Sequence, residues 1–133
     1  MTAYSGDGKS LPDSIEGRIA VVGVCASGKT VLVEKLRALG YDAHACAQEH
    51  SYVPPMWRLL VRPQILVYLE ASLETVRQRG RVYFDAAYLQ EQHRRLRHAR
   101  MHCDIYVNTD NLDEDGVLRV VASALEGRFH LVA

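Results

Sequence analysis

The octapeptide GVCASGKT, residues 23–30, has the residue types and spacing of a phosphate-binding loop. It satisfies the pattern G-x-x-x-x-G-K-[ST] with Gly23, Gly28, Lys29 and Thr30. In this pattern the glycines let backbone N–H groups turn inward around a phosphate. The lysine reaches the β- and γ-phosphate oxygens, and the hydroxyl is placed to ligate Mg²⁺. We therefore predict that Lys29 is catalytic and that Thr30 is a metal ligand. The predicted nucleotide-binding residues of this segment are Gly23, Val24, Cys25, Ala26, Ser27, Gly28, Lys29, Thr30 and Val31.

Two carboxylates are candidates for the acidic group that phosphoryl transfer needs beside the loop. Glu70 follows the apolar run ILVYL, and Glu49 belongs to the polar cluster QEHS beyond another predicted strand. In open α/β sheets ligands bind where strands end, so both positions are suitable. We predict Glu49 as a catalytic residue and leave open whether Glu49 or Glu70 serves the metal. Glu49, His50 and Trp57 are predicted to hold the acceptor, although a core role for Trp57 is equally consistent with the sequence.

Three arginines follow Glu70 at intervals of two residues. Arg77, Arg79 and Arg81 surround Gly80, and their planar donors match phosphate oxygens. We predict Arg77 and Arg81 as catalytic and Arg79 as nucleotide-binding, with a solvated helix end as the alternative. The later arginines are more typical of a solvated or partner-facing helix surface: Arg94, Arg95, Arg97 and Arg100.

Other functions find less support. The group His93, His98, His102, Cys103 and Asp104 lacks the paired short-gap spacing of a structural zinc site. Cys25 is more typical of a loop filler than of a nucleophile. A formal net charge of zero and the absence of a fold-level motif argue against nucleic-acid binding. Scattered cysteines, no membrane-length apolar run and no signal-peptide-like segment predict a cytoplasmic protein without a membrane partner.

Alternating apolar strands and amphipathic helices must position these groups. We predict a flexible leader over 1–17 and one P-loop nucleotide-binding domain over 18–133. Strands are predicted at 18–23, 41–47, 64–71 and 103–110, with 129–133 as a possible fifth. Helices are predicted at 28–40, 73–80 and 112–127, with a loop running into a long helix over 81–102 and a polar turn at 48–57. This alternation predicts an α/β fold with a three-layer parallel sheet of four to five strands and helices on both faces.

Three segments together resemble the P-loop kinase superfamily of small nucleoside, nucleotide and metabolite kinases, over about residues 18–126. They are VVGVCASGKTVLVEKLRALGYD, ILVYLEASLETVRQRGR and CDIYVNTDNLDEDGVLRVVASAL. The resemblance implies a P-loop NTPase fold, with ATP and Mg²⁺ as cofactors. It also implies that Arg77, Arg79 and Arg81 are lid residues. By the same resemblance, the residues bordering the base are Asn108, Thr109 and Asp110.

The chain departs from that family in two places. Residues 48–63 are shorter than the usual substrate-binding insert, and QEHS replaces the acidic motif that often follows the second strand. The guanine-recognition motif N-K-x-D is also missing. We therefore expect an ATP-dependent phosphotransferase acting on an unknown small-molecule acceptor. The alternative is a minimal NTPase switch or nucleotide-binding module that works with a protein partner, and a homo-oligomer is left open.

Overall fold

A computed structural model describes residues 12–128 as alternating strands and helices, as the sequence predicts. The strands are β1 Arg18–Gly23, β2 Asp42–Ala45, β3 Ile65–Glu70 and β4 Ile105–Asn108. The helices are α1 Lys29–Ala38, α2 Met56–Val61, α3 Leu73–Gln78, α4 Ala86–Arg95, α5 Arg97–His102 and α6 Glu114–Glu126, with a 3₁₀ helix at Gln48–His50. The possible fifth strand at 129–133 lies outside the described residues, as does most of the predicted leader.

The described strands form one parallel sheet in the order β2-β1-β3-β4. Because all strands run the same way, the segments that follow β1, β2, β3 and β4 leave the sheet at one edge. Ile19 and Val21 of β1 face one layer of helices, whereas Ala20 and Val22 face the other. This alternation follows from the two-residue period of a strand. The predicted parallel sheet with helices on both faces is confirmed.

Each face of the sheet has its own apolar core. On one face, Leu32 and Leu36 of α1 pack with Val117, Val121 and Leu125 of α6. The core of the opposite face combines residues of α2, α3, α4 and α5: Trp57, Val61, Val76, Leu89 and Ala99. Residues 24–28 connect the inner strand β1 to α1, and Val24 and Cys25 belong to the second of these cores.

Helix ends follow the signals in the sequence. Ser72 caps α3, because its hydroxyl accepts a hydrogen bond of 3.2 Å from the Thr75 N–H. Gly40 ends α1 in a left-handed conformation, with φ of 96° and its N–H donating to the carbonyl of Arg37. The first turn of α6 is acidic, with Glu114 and Asp115, and Asp113 is the N-cap.

Two local predictions are wrong. The segment 48–57 is not only a turn, because it contains the 3₁₀ helix and the start of α2. Pro55 is the N-cap of α2, so the proline begins a helix here instead of only breaking the chain. The predicted long helix is interrupted at Leu96, which ends α4, begins α5 and is fully buried.

Residues 12–17 are hydrogen-bonded to the end of α2 and the segment after it. The Ile15 N–H donates to the Arg62 carbonyl at 2.7 Å, and the Gly17 N–H donates to the Gln64 side chain at 2.7 Å. Among residues 12–128, no helix is both long and apolar enough to cross a bilayer.

Candidate functional site

The loop between β1 and α1 has a backbone that requires small residues. A Cβ atom on Gly23 would lie 2.3 Å from the carbonyl oxygen of Leu69 and 2.7 Å from Oγ of Ser27. Gly28 has φ of 97°, which glycine adopts at little steric cost. Ala26 is also left-handed, with φ of 59°. Such conformations outside glycine cluster at ligand-binding loops.

Lys29 lies at the centre of this loop. Its Nζ donates to the carbonyls of Gly23 and Val24, at 2.9 and 3.2 Å, and to Oε2 of Glu49 at 2.8 Å. All three ammonium donors are therefore engaged. The Lys29 side chain is 14% exposed and the Glu49 side chain 5%, so the ion pair is shielded from water. The structure thus joins two predicted catalytic residues from separate parts of the chain.

Two buried oxygens beside this ion pair lack a hydrogen-bond partner. They are Oγ of Ser27 and Oε1 of Glu49, judged within the described residues. Buried polar atoms are nearly always satisfied, so an exception calls for a water, an ion or a ligand. The unpartnered carboxylate oxygen is therefore an independent indication that something binds here.

Cys25, Glu49 and His50 form a compact group that we call the carboxylate cluster. The Cys25 Sγ lies 3.8 Å from Nε2 of His50, and that nitrogen lies 3.7 Å from Oε2 of Glu49. One potential ligand atom from each residue lies within 4.8 Å of the others. Cys25 is predicted from the sequence as a loop filler, since nothing in the linear spacing joins it to a segment two dozen positions later.

Gln92 of α4 fastens the loop from the second face of the sheet. Its Oε1 accepts the Cys25 backbone N–H at 3.0 Å, and its Nε2 donates to the Cys25 sulfur at 2.9 Å. Gln92 is fully buried. Gln92 is not among the residues predicted for the site. The available signal was that Gln92 lies three residues after Leu89 and four before Leu96, both of which are buried.

A cavity of about 580 Å³, which we call the loop cleft, opens on the other side of the same loop. Apolar side chains of α1 and α6 form one part of it, and the acidic start of α6 forms another. Predicted nucleotide-binding residues supply much of the remaining wall. The lining residues are Ala26, Ser27, Gly28, Val31, Leu32, Arg79, Thr109, Leu112, Asp113, Glu114, Asp115 and Val117.

Arg79 joins the loop to the turn after β4. Its guanidinium donates to the Ala26 carbonyl at 2.8 Å, to Oγ1 of Thr109 at 3.0 Å and to the Thr109 carbonyl at 2.7 Å. Thr109 is almost fully buried and donates its hydroxyl to the Glu70 carbonyl at 2.9 Å. The structure therefore brings Arg79 and Thr109 together at the cleft. Their predicted roles as a lid residue and a residue bordering the base stay predictions.

The rest of this turn is held by Asp110. Its Oδ1 accepts the Ser72 N–H at 2.8 Å, and its own N–H donates to the Asn108 side chain. Burial alone would raise the pKa of Asp110. The hydrogen bonds from Ser72 and Thr75 and the charge of Arg79 outweigh burial and hold the pKa below its usual value. Asp110 is thus a stable anion that fixes the turn.

Arg77 and Arg81 do not line the loop cleft. Arg77 donates from Nε to the Phe84 carbonyl at 2.6 Å, which shapes the segment after α3. Arg81 is exposed. Their predicted catalytic roles stay predictions.

Glu70 and Trp57 are engaged on the second face of the sheet. Glu70 Oε1 lies 2.9 Å from Nε2 of His93, and its Oε2 lies 3.9 Å from the Arg100 guanidinium. Trp57 is 6% exposed, and its indole N–H donates to Nδ1 of His98 at 3.1 Å. This burial matches the core role that the sequence left open for Trp57, and its contact with a substrate stays a prediction.

A second cavity of about 290 Å³ lies beside β3 and is rich in cationic side chains. Several of the arginines expected on a solvated helix surface border it. Burial raises the pKa of Tyr68, which contributes its floor. The lining residues are Tyr68, Gln90, His93, Arg94, Arg97 and Arg100.

No protein-family model and no curated protein matches the chain. The geometry around Lys29 is therefore the main support for any function. It gathers Lys29, Glu49 and His50 on one side of the loop, and it gathers Ala26, Arg79 and Thr109 on the other.

Proposed function

We propose that the protein is an ATP-binding P-loop NTPase of the kinase type, which transfers the γ-phosphoryl group of ATP to a small-molecule acceptor with Mg²⁺. One observation carries the proposal. Lys29 is paired with a buried carboxylate at the end of the glycine loop, and Ala26, Ser27 and Gly28 of the same loop line a cavity of about 580 Å³. The all-parallel sheet with this loop after its central strand is compatible with that fold.

The residues present fit a triphosphate. A side chain at Gly23 has no room, so backbone must approach backbone closely there. Ser27 Oγ is buried without a partner, and a phosphate oxygen would satisfy it. The apolar residues Leu32 and Val117 of the loop cleft suit the faces of a purine.

The residues also fit a magnesium ion. Glu49 has a buried oxygen without a partner, whereas both oxygens of Glu70 have cationic neighbours. Oxygen ligands are those that Mg²⁺ prefers. We therefore assign Thr30 and Glu49, rather than Glu70, to the metal. When bound, the ion neutralises charge on the phosphates.

Each side chain of the site would then have a separate role. Lys29 would exchange its two carbonyl partners for phosphate oxygens and stabilise the charge that develops on them. Arg79 would keep the loop and the base-side turn together. The acceptor oxygen forms a bond to the γ-phosphorus as the bond to the ADP oxygen breaks, and Glu49 takes the acceptor proton. His50, half-exposed beside Glu49, is positioned to contact the acceptor.

A switch that acts with a protein partner is the second candidate, and one observation favours it. The short segment that replaces a substrate-binding insert exposes several apolar side chains: Tyr52, Val53, Leu59 and Leu60. Tyr52 is 79% exposed and Leu60 is 70% exposed. Exposed apolar groups in one segment are typical of a protein-binding surface.

Turnover assays separate the two candidates. The protein is incubated with ATP and Mg²⁺ and a panel of small metabolites, and both ADP and phosphorylated product are measured. The kinase proposal predicts ADP formation that requires one acceptor and matches product formation. Acceptor-independent hydrolysis that only a protein stimulates would exclude the kinase.

Matched carboxylate variants test the assignment of Glu49. Glu49→Gln should lower kcat by about 10²–10⁴-fold, the range for loss of a general base. Glu70→Gln should have a smaller effect, and Glu34→Gln on the exposed side of α1 is the control. Wild-type activity of Glu49→Gln would remove Glu49 from the mechanism.

A further inference from the structure

We propose that the carboxylate cluster, formed by Cys25, Glu49 and His50, binds a thiophilic divalent cation of the zinc class. The cluster offers a sulfur, an oxygen and a nitrogen ligand within 4.8 Å of one another. Mg²⁺ prefers an all-oxygen shell, whereas thiol and imidazole ligands favour zinc. Three protein ligands with an open fourth position are typical of zinc sites that exchange ligands.

The spacing of the ligand atoms is close to that of a tetrahedral site. Zinc–sulfur and zinc–nitrogen bonds of about 2.3 and 2.1 Å place the two ligand atoms roughly 3.5 Å apart at the tetrahedral angle. The Cys25 Sγ and His50 Nε2 atoms are 3.8 Å apart. The His50 Nε2 and Glu49 Oε2 atoms are 3.7 Å apart. The third pair, Cys25 Sγ and a Glu49 oxygen, lies within 4.8 Å. A movement of roughly 1 Å or less would therefore complete the site.

Burial gives a second, independent indication. Glu49 is 3% exposed, and its Oε1 has no hydrogen-bond partner within residues 12–128. A cation would satisfy this carboxylate while Lys29 keeps a hydrogen bond to it. Cys25 is also buried, and Gln92 holds its backbone and sulfur from α4. Binding takes the thiolate form of Cys25, so the thiol proton passes to the buffer.

The site has a regulatory consequence that rests on the proposed function. Cys25 belongs to the phosphate loop, and Glu49 is the ion-pair partner of Lys29. A cation on the cluster would fix Cys25 and occupy Glu49, the carboxylate that the proposed function assigns to Mg²⁺. Zinc occupancy should therefore weaken the binding of MgATP, and MgATP should weaken zinc binding by the same factor.

Zinc binding is tested on the full chain without nucleotide, by competition with a chromophoric chelator. Wild type should bind one zinc ion per chain at this site, and Cys25→Ser should weaken binding at least about tenfold, as loss of a ligand requires. Cys103→Ser, a cysteine outside the cluster, is the matched control and should bind as wild type does. Absence of zinc binding, or equal loss in both cysteine variants, would overturn the proposal.

Two further measurements keep the result unambiguous if Cys25→Ser folds poorly. His50→Ala removes a half-exposed ligand and should also weaken zinc at least about tenfold. Cobalt in place of zinc should give a thiolate charge-transfer absorption that Cys25→Ser lacks. A cobalt complex without that absorption would contradict the role of Cys25.

A separate measurement tests the proposed function. MgATP binding is measured with a chelator that prefers zinc to magnesium. Zinc binding without MgATP binding would support the metal site and remove the proposed function. MgATP binding without zinc binding would support the proposed function and overturn the metal site.

Discussion

The loop cleft and the carboxylate cluster contact the same glycine loop but are built in different ways. The cleft is an open cavity whose walls come from backbone turns, the guanidinium of Arg79 and the start of α6. The cluster is closed, and its members bond to neighbouring side chains such as Lys29 and Gln92. The cleft is therefore formed before a ligand arrives. The cluster must exchange existing contacts for new ones.

Because of this difference, a ligand would bind at a different free-energy cost in each of the two regions. A ligand that enters the cleft meets groups already in position, which favours tight binding. A ligand that reaches Lys29 must first compete with Glu49 and two carbonyl groups. The following variants test this difference between a preformed cleft and a cluster whose contacts must be exchanged.

The largest effect is expected where backbone meets backbone at the loop. Gly23→Ala places a Cβ atom 2.3 Å from the Leu69 carbonyl, and this oxygen is part of β3. We expect the free energy of unfolding to fall by about 3 kcal/mol, the upper range for overpacking. Denaturant unfolding monitored by circular dichroism measures this change.

Gly40→Ala is the control for that substitution. Gly40 has φ of 96° but no atom within 4 Å of an added Cβ. It should cost only about 1–2 kcal/mol of conformational strain. Equal losses in the two variants would show that close contact does not shape the loop.

The next effect concerns the attachment of the closed cluster to α4. Gln92→Ala leaves the buried Cys25 N–H without its acceptor, which should lower the free energy of unfolding by about 2 kcal/mol. Gln90→Ala, on the exposed side of the same helix, should have almost no effect. If the two variants are equally stable, α4 does not fasten the loop.

A smaller effect is expected in the open cleft. Arg79→Ala removes charge-assisted hydrogen bonds to Ala26 and Thr109 and should weaken MgATP binding about tenfold, or about 1.4 kcal/mol. Gln78→Ala, next to it and exposed, should bind as wild type does. Calorimetric titration gives both values. Unchanged MgATP affinity in Arg79→Ala would mean that binding in the cleft does not depend on the Arg79 hydrogen bonds.

The smallest effect is a pH dependence of stability at His98, which contacts Trp57 on the second face of the sheet. Burial, and secondarily the neighbouring His102, lower the pKa of His98 below its ordinary value of 6.5. Below pH 6.5 the unfolded chain binds a proton that folded His98 does not, so stability falls as pH drops towards the folded pKa. Above that window the two states are equally deprotonated, and the contribution is constant.

The Trp57 hydrogen bond makes this change observable. Nδ1 of His98 accepts the indole N–H, so protonation at Nδ1 breaks the bond. Thermal unfolding followed by tryptophan fluorescence should show a decline below pH 6.5 that His98→Gln reduces. The same decline in both proteins would assign it to other groups.

The sequence predicted the parts that depend on local order. The pattern around Gly23 and Lys29, the Ser72 cap and the strand alternation are read from neighbouring positions, and the structure has them. Glu49 is predicted from the polar cluster beyond a strand, and the structure pairs it with Lys29. Its catalytic role stays a prediction. The Cys25 and Gln92 contacts could not be predicted, because α4 reaches the loop only through tertiary packing. Leu96 also interrupts a helix whose periodicity looks continuous.

The central claim is that the loop around Lys29 binds a nucleotide triphosphate. Calorimetric titration of MgATP into wild type, Lys29→Ala and Lys35→Ala tests it most directly. Lys35 is the matched control, because it is a lysine of the same helix that does not line the loop cleft; since its partner Asp115 does, Lys35→Ala is compared with the double variant Lys35→Ala/Asp115→Ala. We predict one site in wild type and Lys35→Ala, and loss of binding in Lys29→Ala. Equal binding by Lys29→Ala and wild type would contradict the claim.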